Sequence, residues 1–386
     1  MSLKDKAAIV GIGETDFSSN SGRSELHLLI QATLAACEDA GIKPSEIDGM
    51  VKFVADETGE NSLAEALGLD NLRFWAEMPH GGNAGAGTVT LAAMAVAQGQ
   101  ANYVLCWRSL NERSGRRFGQ PEGYVSSART PGVEQFTLPH GLMTPAQYVA
   151  LTARRHMHQY GTTAEQFAAF TINSRAFAAN NPKARFYQRP LTLEEYYQGR
   201  MISDPLRIYD CCLESDGAVA LIVTSAGRAR DLRQSPAYIM ATAQGMGKRS
   251  SIMPNLYRSD ITISEECRYA ARDLWHMAGV GPEDVDVVQL YDHFSPLALM
   301  ALEDFGFCEK GEAGQFVESG GIGPKGKFPT NTAGGLVGEA YIHGMNLISE
   351  AVRQIRGTSP NQVADVNLSF VSSANGCPLN CLLLRK

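Results

Sequence analysis

The sequence predicts an α/β protein built from two similar halves, and three observations carry that prediction. Apolar strand-like runs alternate with amphipathic helical stretches along the chain. A short pattern occurs twice, as AGIKPSEID at Ala40–Asp48 and, 238 positions further on, as AGVGPEDVD at Ala278–Asp286. No low-complexity tract or flexible linker divides the chain, so the halves are expected to form one rigid body.

Each copy of the pattern follows a helical stretch, Leu28–Asp39 or Glu265–Met277, and places Gly41 or Gly279 where a helix C-cap favours glycine. Pro44 and Pro282 then open a polar turn, and an apolar strand follows at Gly49–Phe53 or Val287–Tyr291. A Gly-rich turn, a helix and another strand come next. In the first half these are Gly81–Gly87, Val89–Gln98 and Ala101–Trp107; in the second they are Gly334–Gly338, Gly344–Ile355 and Val366–Val371. Each half opens on a strand, Ala7–Gly11 and Ala237–Ala241. The alternation implies a largely parallel sheet with helices on both sides. Residues 1–235 make the first half and 236–386 the second. Between roughly Asn111 and Cys212 the pattern gives way to loops and to helices at Pro145–Tyr160 and Ala164–Asn181, an insertion of the kind that lids an active site. The strand order resumes at Asp216–Thr224.

Composition narrows the function. A chain of 386 residues that is 44% hydrophobic can bury a large core. Its formal charge of −7 argues against nucleic acid, whose phosphates are bound by Lys and Arg. The N-terminus lacks the apolar stretch and cleavage site of a signal peptide, and no run of 18 apolar residues predicts a membrane span. The eight cysteines are scattered through apolar segments and read as reduced thiols, so a cytoplasmic location is expected. His156 and His158 stand two apart on a helix and face different ways, and no metal site is expected.

The segments Ala8–Gly13, Ala40–Met50, Asp210–Ala218, Tyr291–Ser295, Leu302–Cys308 and Asn331–Gly335 with Gly344 form a further set of motifs. Together they resemble the thiolase superfamily in its sterol-carrier-protein-type branch. The resemblance covers essentially the whole chain and implies a five-layer αβαβα fold, a homodimer core and an acyl-CoA substrate. It implies no cofactor on this chain, since CoA is part of the substrate.

The three positions that carry thiolase chemistry differ here. The turn that should hold the nucleophilic cysteine reads Gly82-Asn-Ala-Gly-Ala86, the His-Asp-Cys-Phe motif reads Tyr291-Asp-His-Phe294, and the Gly-His-Pro histidine is replaced within Ala340-Tyr-Ile342. Covalent acyl transfer needs an activated nucleophile beside a base. The segments Tyr291–Phe294 and Gly338-Glu-Ala-Tyr-Ile-His-Gly344 instead resemble the thiolase-like retro-aldolases of bacterial steroid side-chain degradation. Arg23–Leu26, Asn111–Gly115 and Asn180–Ala184 resemble that group too.

The reaction this implies splits a β-hydroxyacyl-CoA into a ketone and a shorter acyl-CoA without an acyl-enzyme. Tyr291, Tyr341, His293 and His343 are the candidate catalytic residues, and Asn83, Gly334, Gly335 and Asp292 the candidate substrate-binding ones. A standing phenolate would need its pKa lowered by about three units, roughly 4 kcal/mol. A neutral tyrosine that passes the proton to a histidine needs no such shift and is the preferred reading. Backbone N–H groups of the Gly81–Gly87 turn, at a helix start, offer an oxyanion site. Gly334 and Gly335 are expected to approach the thioester. Plainer readings compete: a strand-end core tyrosine at Tyr291, orienting roles for the histidines, and Asp292 as N-cap of a helix at Ser295–Asp304. Arg113, Arg116 and Arg117 read as CoA-phosphate ligands or as solvated loop cations.

The resemblance also implies a partner, a small OB-fold, zinc-ribbon protein or domain that can be attached to an acyl-CoA hydratase. Two rival functions stand beside the aldolase: a thiolase or acyltransferase using a cysteine such as Cys106 or Cys308, and a non-catalytic acyl-CoA or lipid carrier.

Overall fold

The computed structural model describes residues 2–79, 81–120, 134–251, 253 and 256–386. Residues 121–133 of the expected insertion therefore lie outside the described residues. The first half runs β1 (Ala7–Glu14), α1 (Glu25–Ala40), β2 (Gly49–Phe53), α2 (Glu60–Leu67), β3 (Phe74–Met78), α3 (Gly85–Ala97) and β4 (Tyr103–Asn111). The insertion supplies α4 (Pro145–Tyr160), α5 (Ala164–Asn180) and a small hairpin of β5 (Met201–Ser203) and β6 (Leu206–Arg207), after which β7 (Asp216–Ser225) returns to the sheet. The second half runs β8 (Ala237–Gly245), α6 (Glu265–Ala278), β9 (Val287–Gln289), α7 (Ser295–Asp304), α8 (Met345–Arg356), β10 (Leu368–Ser372) and β11 (Leu379–Arg385).

The repeat seen in the sequence has a local physical basis. Ser24 and Ser264 cap the starts of α1 and α6 with their hydroxyls, and Gly41 and Gly279 close them in left-handed backbone at φ 75° and 73°. A turn of 3-10 helix follows each glycine, at Pro44–Glu46 and Pro282–Asp284.

Nine strands form one sheet in the order β3-β2-β4-β7-β1-β8-β11-β10-β9. Only β2–β3, β2–β4 and β9–β10 are parallel, so the expectation of a largely parallel sheet is corrected: the sheet is mixed. The reason lies in the connections. β7 returns from the long insertion and β11 from a tight turn, and each runs antiparallel to both its neighbours.

The halves meet where β1 pairs with β8 over only Ala8↔Tyr238 and Ile9↔Ala237. From that seam the sheet closes around α3 and α8, because α3 packs on β2, β4 and β7 and also on β8 and β11, while α8 packs on β9 and β10 and also on β1 and β7. α1 and α6 cover the outer faces. This is the expected five-layer αβαβα order. An apolar cluster runs through the central layer, joining Val51, Val89 and Val219 of one half to Ile348, Val371 and Leu382 of the other. Among the described residues no helix is long and apolar enough to cross a membrane.

Candidate active site

The sheet delivers the two tyrosines to one point. Tyr291 leaves the end of β9, its backbone N–H held by the Ser372 hydroxyl at 3.2 Å. Tyr341 sits just before α8, its N–H held by the Ser215 hydroxyl at 3.2 Å. Their phenol oxygens share a hydrogen bond of 2.9 Å, and the rings meet edge to face at 6.0 Å.

The glycine turn makes this possible. A methyl on Gly82 would lie 1.6 Å from the Tyr291 hydroxyl, and one on Gly344, at φ 79°, would strike the ring at 2.7 Å. Tyr291 is only 2% exposed. Burial pushes both phenols well above the ordinary tyrosine value. The pair is therefore built to stay protonated.

Both predicted histidines join it. The His293 ring contacts Tyr291 at 5.0 Å, with Nδ1 3.4 Å from the Tyr291 carbonyl oxygen. Its Nε2 is buried with no hydrogen-bond partner among the described residues. Burial lowers its pKa to about 4. His343 meets Tyr341 edge-on at 5.0 Å and stacks on Phe53 at 6.0 Å. Its backbone is left-handed, at φ 47°, and burial followed by the nearby Arg108 charge holds its pKa well below the usual histidine range.

The substrate-binding candidates are placed differently. Asn83 is buried at the start of the turn, and its carbonyl accepts from the Asn380 amide at 2.7 Å. Within the same turn the Ala86 N–H is engaged by the Ser373 hydroxyl at 3.1 Å. Gly334 and Gly335 approach protein groups: a methyl would meet Ala178 of α5 at 2.5 Å and the Asp292 carboxylate at 2.4 Å respectively. Packing thus accounts for both glycines.

Asp292 does not cap α7. Phe294 occupies that N-cap, while Asp292 Oδ1 accepts from the Leu336 N–H at 2.7 Å and so holds the single helical turn Gly335–Gly338. Burial raises its carboxyl to about 7.

Two residues escaped the sequence reading. Arg108, only 2% exposed, lies on β4 one residue past the expected strand end and donates from Nε to His343 Nδ1 at 2.9 Å. Glu112 is buried beyond the end of that strand, with its carboxyl raised well above the ordinary range, first by burial and then by Glu214. A lone arginine following an apolar run was the available signal, since a buried charge demands a partner.

All eight cysteines are free thiols, and burial raises the pKa of each. Cys106 and Cys308, the nucleophiles of the rival reading, are both pushed up to about 12. Cys212 does border the site, its N–H donating to the His293 carbonyl at 2.9 Å. His156 is fully buried between Thr162 and Glu303, and the described residues hold no cluster of three or more metal-ligating side chains. Arg117 donates to Glu214 at 2.7 Å, and Arg116 lies over the Phe118 ring.

Comparison with known proteins sets the class first. Residues 227–380 match the family model described as thiolase C-terminal domain-like. The 17-hydroxy-3-oxo-4-pregnene-20-carboxyl-CoA lyase of Mycobacterium tuberculosis is 49% identical over 384 residues, covering 99% of this chain and 100% of that protein. The steroid side-chain-cleaving aldolase of Thermomonospora curvata is also 49% identical, over 99% of this chain and 98% of that one. A solved structure described as an Ltp2-ChsH2(DUF35) aldolase superposes with a TM-score of 0.94 at 49% identity, covering 100% of this chain and 99% of that one. The chain belongs to the thiolase superfamily, in the aldolase group formed by these relatives, and is a carbon–carbon lyase.

Proposed function

We propose that the enzyme cleaves a β-hydroxyacyl-CoA with a steroid-like tail into a ketone and a shorter acyl-CoA, with Tyr291 and Tyr341 moving the protons. The observation that carries this reading is the 2.9 Å bond between the two phenols, in a site bordered by thiols that burial keeps protonated. Two relatives support the substrate class, one named as a lyase of a steroid carboxyl-CoA and the other as a steroid side-chain-cleaving aldolase.

The atoms balance without a covalent intermediate. The β-hydroxyl O–H breaks and its electron pair becomes the ketone carbonyl. The Cα–Cβ bond breaks into the thioester enolate, and the enolate carbon takes a proton from one phenol. The proton released by the hydroxyl restores that phenol across the tyrosine pair. Phenols raised by burial suit this relay, because neither has to stand as a phenolate.

The same reading extends to assembly: a homodimer core and an OB-fold partner. The partner draws on the structural relative, which is described as an Ltp2-ChsH2(DUF35) aldolase. Product analysis tests the whole. A steroid β-hydroxyacyl-CoA, offered with and without a co-expressed OB-fold protein, should yield a ring ketone and a short acyl-CoA. An uncleaved thioester under both conditions would refute the proposal.

A further inference from the structure

We infer that Arg108 is a positioning residue that fixes His343 as a hydrogen-bond donor, so that the site holds two neutral imidazoles in opposite tautomers and only His293 is left to accept a proton. This rests on the retro-aldol reading for its purpose, although the tautomers themselves follow from geometry alone.

The geometry starts with donors and acceptors. A guanidinium has only donors and does not lose a proton in proteins. Arg108 Nε–H points at His343 Nδ1 from 2.9 Å, so Nδ1 must present its lone pair and the single ring proton belongs on Nε2. Arg108 cannot swing away. Its Nη1 is paired with Asp56 at 3.1 Å and donates to the Ser109 carbonyl at 2.8 Å. Asp56 is anchored in turn by the Ser109 and Thr58 N–H groups, at 2.7 and 3.0 Å. The His343 ring is wedged among Phe53, Phe118 and Tyr341. Its Cε1–Nε2 edge looks onto Gly81, the first residue of the glycine turn, where an added methyl would sit 3.9–4.0 Å away.

His293 is set the other way. Its Nδ1 faces the Tyr291 carbonyl, which can only accept, so Nδ1 carries the proton. Nε2 is then the lone-pair nitrogen, buried and without a partner among the described residues.

Retro-aldol cleavage needs one group of each kind. Charge develops on the thioester oxygen as the enolate forms, and a fixed N–H stabilises it. The hydroxyl proton leaves in the same step, and a lone pair must receive it, directly or through a phenol. His343 Nε2–H fits the first task and His293 Nε2 the second, and the proton that His293 takes returns through the tyrosine pair to the phenol that protonates the enolate carbon. A shuttle in which either histidine takes the proton, as the sequence left open, narrows to His293.

The test is long-range ¹H–¹⁵N spectroscopy of the full-length protein labelled at histidine nitrogens. Signals are assigned by their loss in His343→Gln and His293→Gln. The expected spectrum shows His343 protonated at Nε2 only and His293 at Nδ1 only. Protonation of His343 at Nδ1, or at both nitrogens, overturns the inference. Because Arg108→Met alone strands the buried Asp56, the kinetic arm uses Arg108→Met with Asp56→Asn. That pair should let the His343 tautomers mix and lower kcat by about 10²–10³-fold, the effect of losing one oxyanion donor, with KM nearly unchanged. Unchanged kcat, or an unchanged His343 tautomer, overturns the positioning role. Should the wild-type protein fail to cleave any β-hydroxyacyl-CoA, the retro-aldol reading falls while the spectrum still decides the tautomers.

Discussion

Each of the two phenols lies where burial disfavours its anion, and each is held by its own serine on the backbone side. Tyr291→Phe or Tyr341→Phe removes one proton carrier and little packing. Either change should lower kcat by about 10²–10⁴-fold with an unchanged circular dichroism spectrum. Gly82→Ala makes the same point from the other side, since its methyl would lie 1.6 Å from the Tyr291 hydroxyl. Steady-state assay should show a loss of similar size. The pH profile tests His293. Its acceptor form is the deprotonated one, and burial lowers its pKa from 6.5 to about 4. The kcat/KM should thus stay flat through 6.5 and fall only as pH approaches 4; an acid limb at 6.5 would contradict the assignment. The tyrosines were legible because they interrupt motifs that otherwise hold sulfur and imidazole. Arg108 was not, because an arginine at the end of an apolar run names no partner, and its histidine lies 235 residues away. The role of Asp292 was misread for a related reason. A cap is a local expectation, whereas the group it holds, Leu336, is 44 residues on.

At the scale of elements, the insertion works as a buttress. Ala178 of α5 fills the space beside both Gly334 and Gly338, and the Asn181 amide at the end of the same helix donates to the Ala333 carbonyl at 3.0 Å and to Glu339 at 3.2 Å. These contacts hold the segment that leads into Tyr341. Ala178→Val overfills that contact and should cost about 1–3 kcal/mol in thermal or denaturant unfolding. α8 is anchored by charge: Arg353 pairs with Glu14 of β1 and with Glu350, and both carboxylates are withdrawn from solvent. Replacing Arg353 with Met leaves the buried Glu350 without its cation and Glu14 with only the exposed Lys183. The expected loss is about 3–5 kcal/mol, read from the denaturation midpoint. The longer helices and the repeated turn were legible from spacing and caps, with ends shifted by one to a few residues. α2 and β3 went unread, since eight and five residues between turns give too short a pattern to separate from a loop.

The whole molecule is organised around its central layer. α3 and α8 are each packed against strands of both halves, so neither half can bury its own helix alone. Residues 1–235 expressed by themselves should expose the apolar faces that α8 covers and prove insoluble; a soluble, cooperatively unfolding fragment would contradict this. The layered architecture could be read from the internal repeat and the resemblance. Strand direction could not, because it depends on whether a connection crosses over or turns back, which hydrophobic pattern does not record.

The central claim is that protons move through the tyrosine pair and no acyl-enzyme forms. Mass spectrometry of a quenched turnover in heavy water, reading protein and products together, tests it most directly. The account predicts an unmodified protein mass and one solvent deuterium on the α-carbon of the released acyl-CoA, with that product lost in Tyr291→Phe and Tyr341→Phe. An acyl adduct on a cysteine, or undiminished deuterated product from both variants, would contradict it.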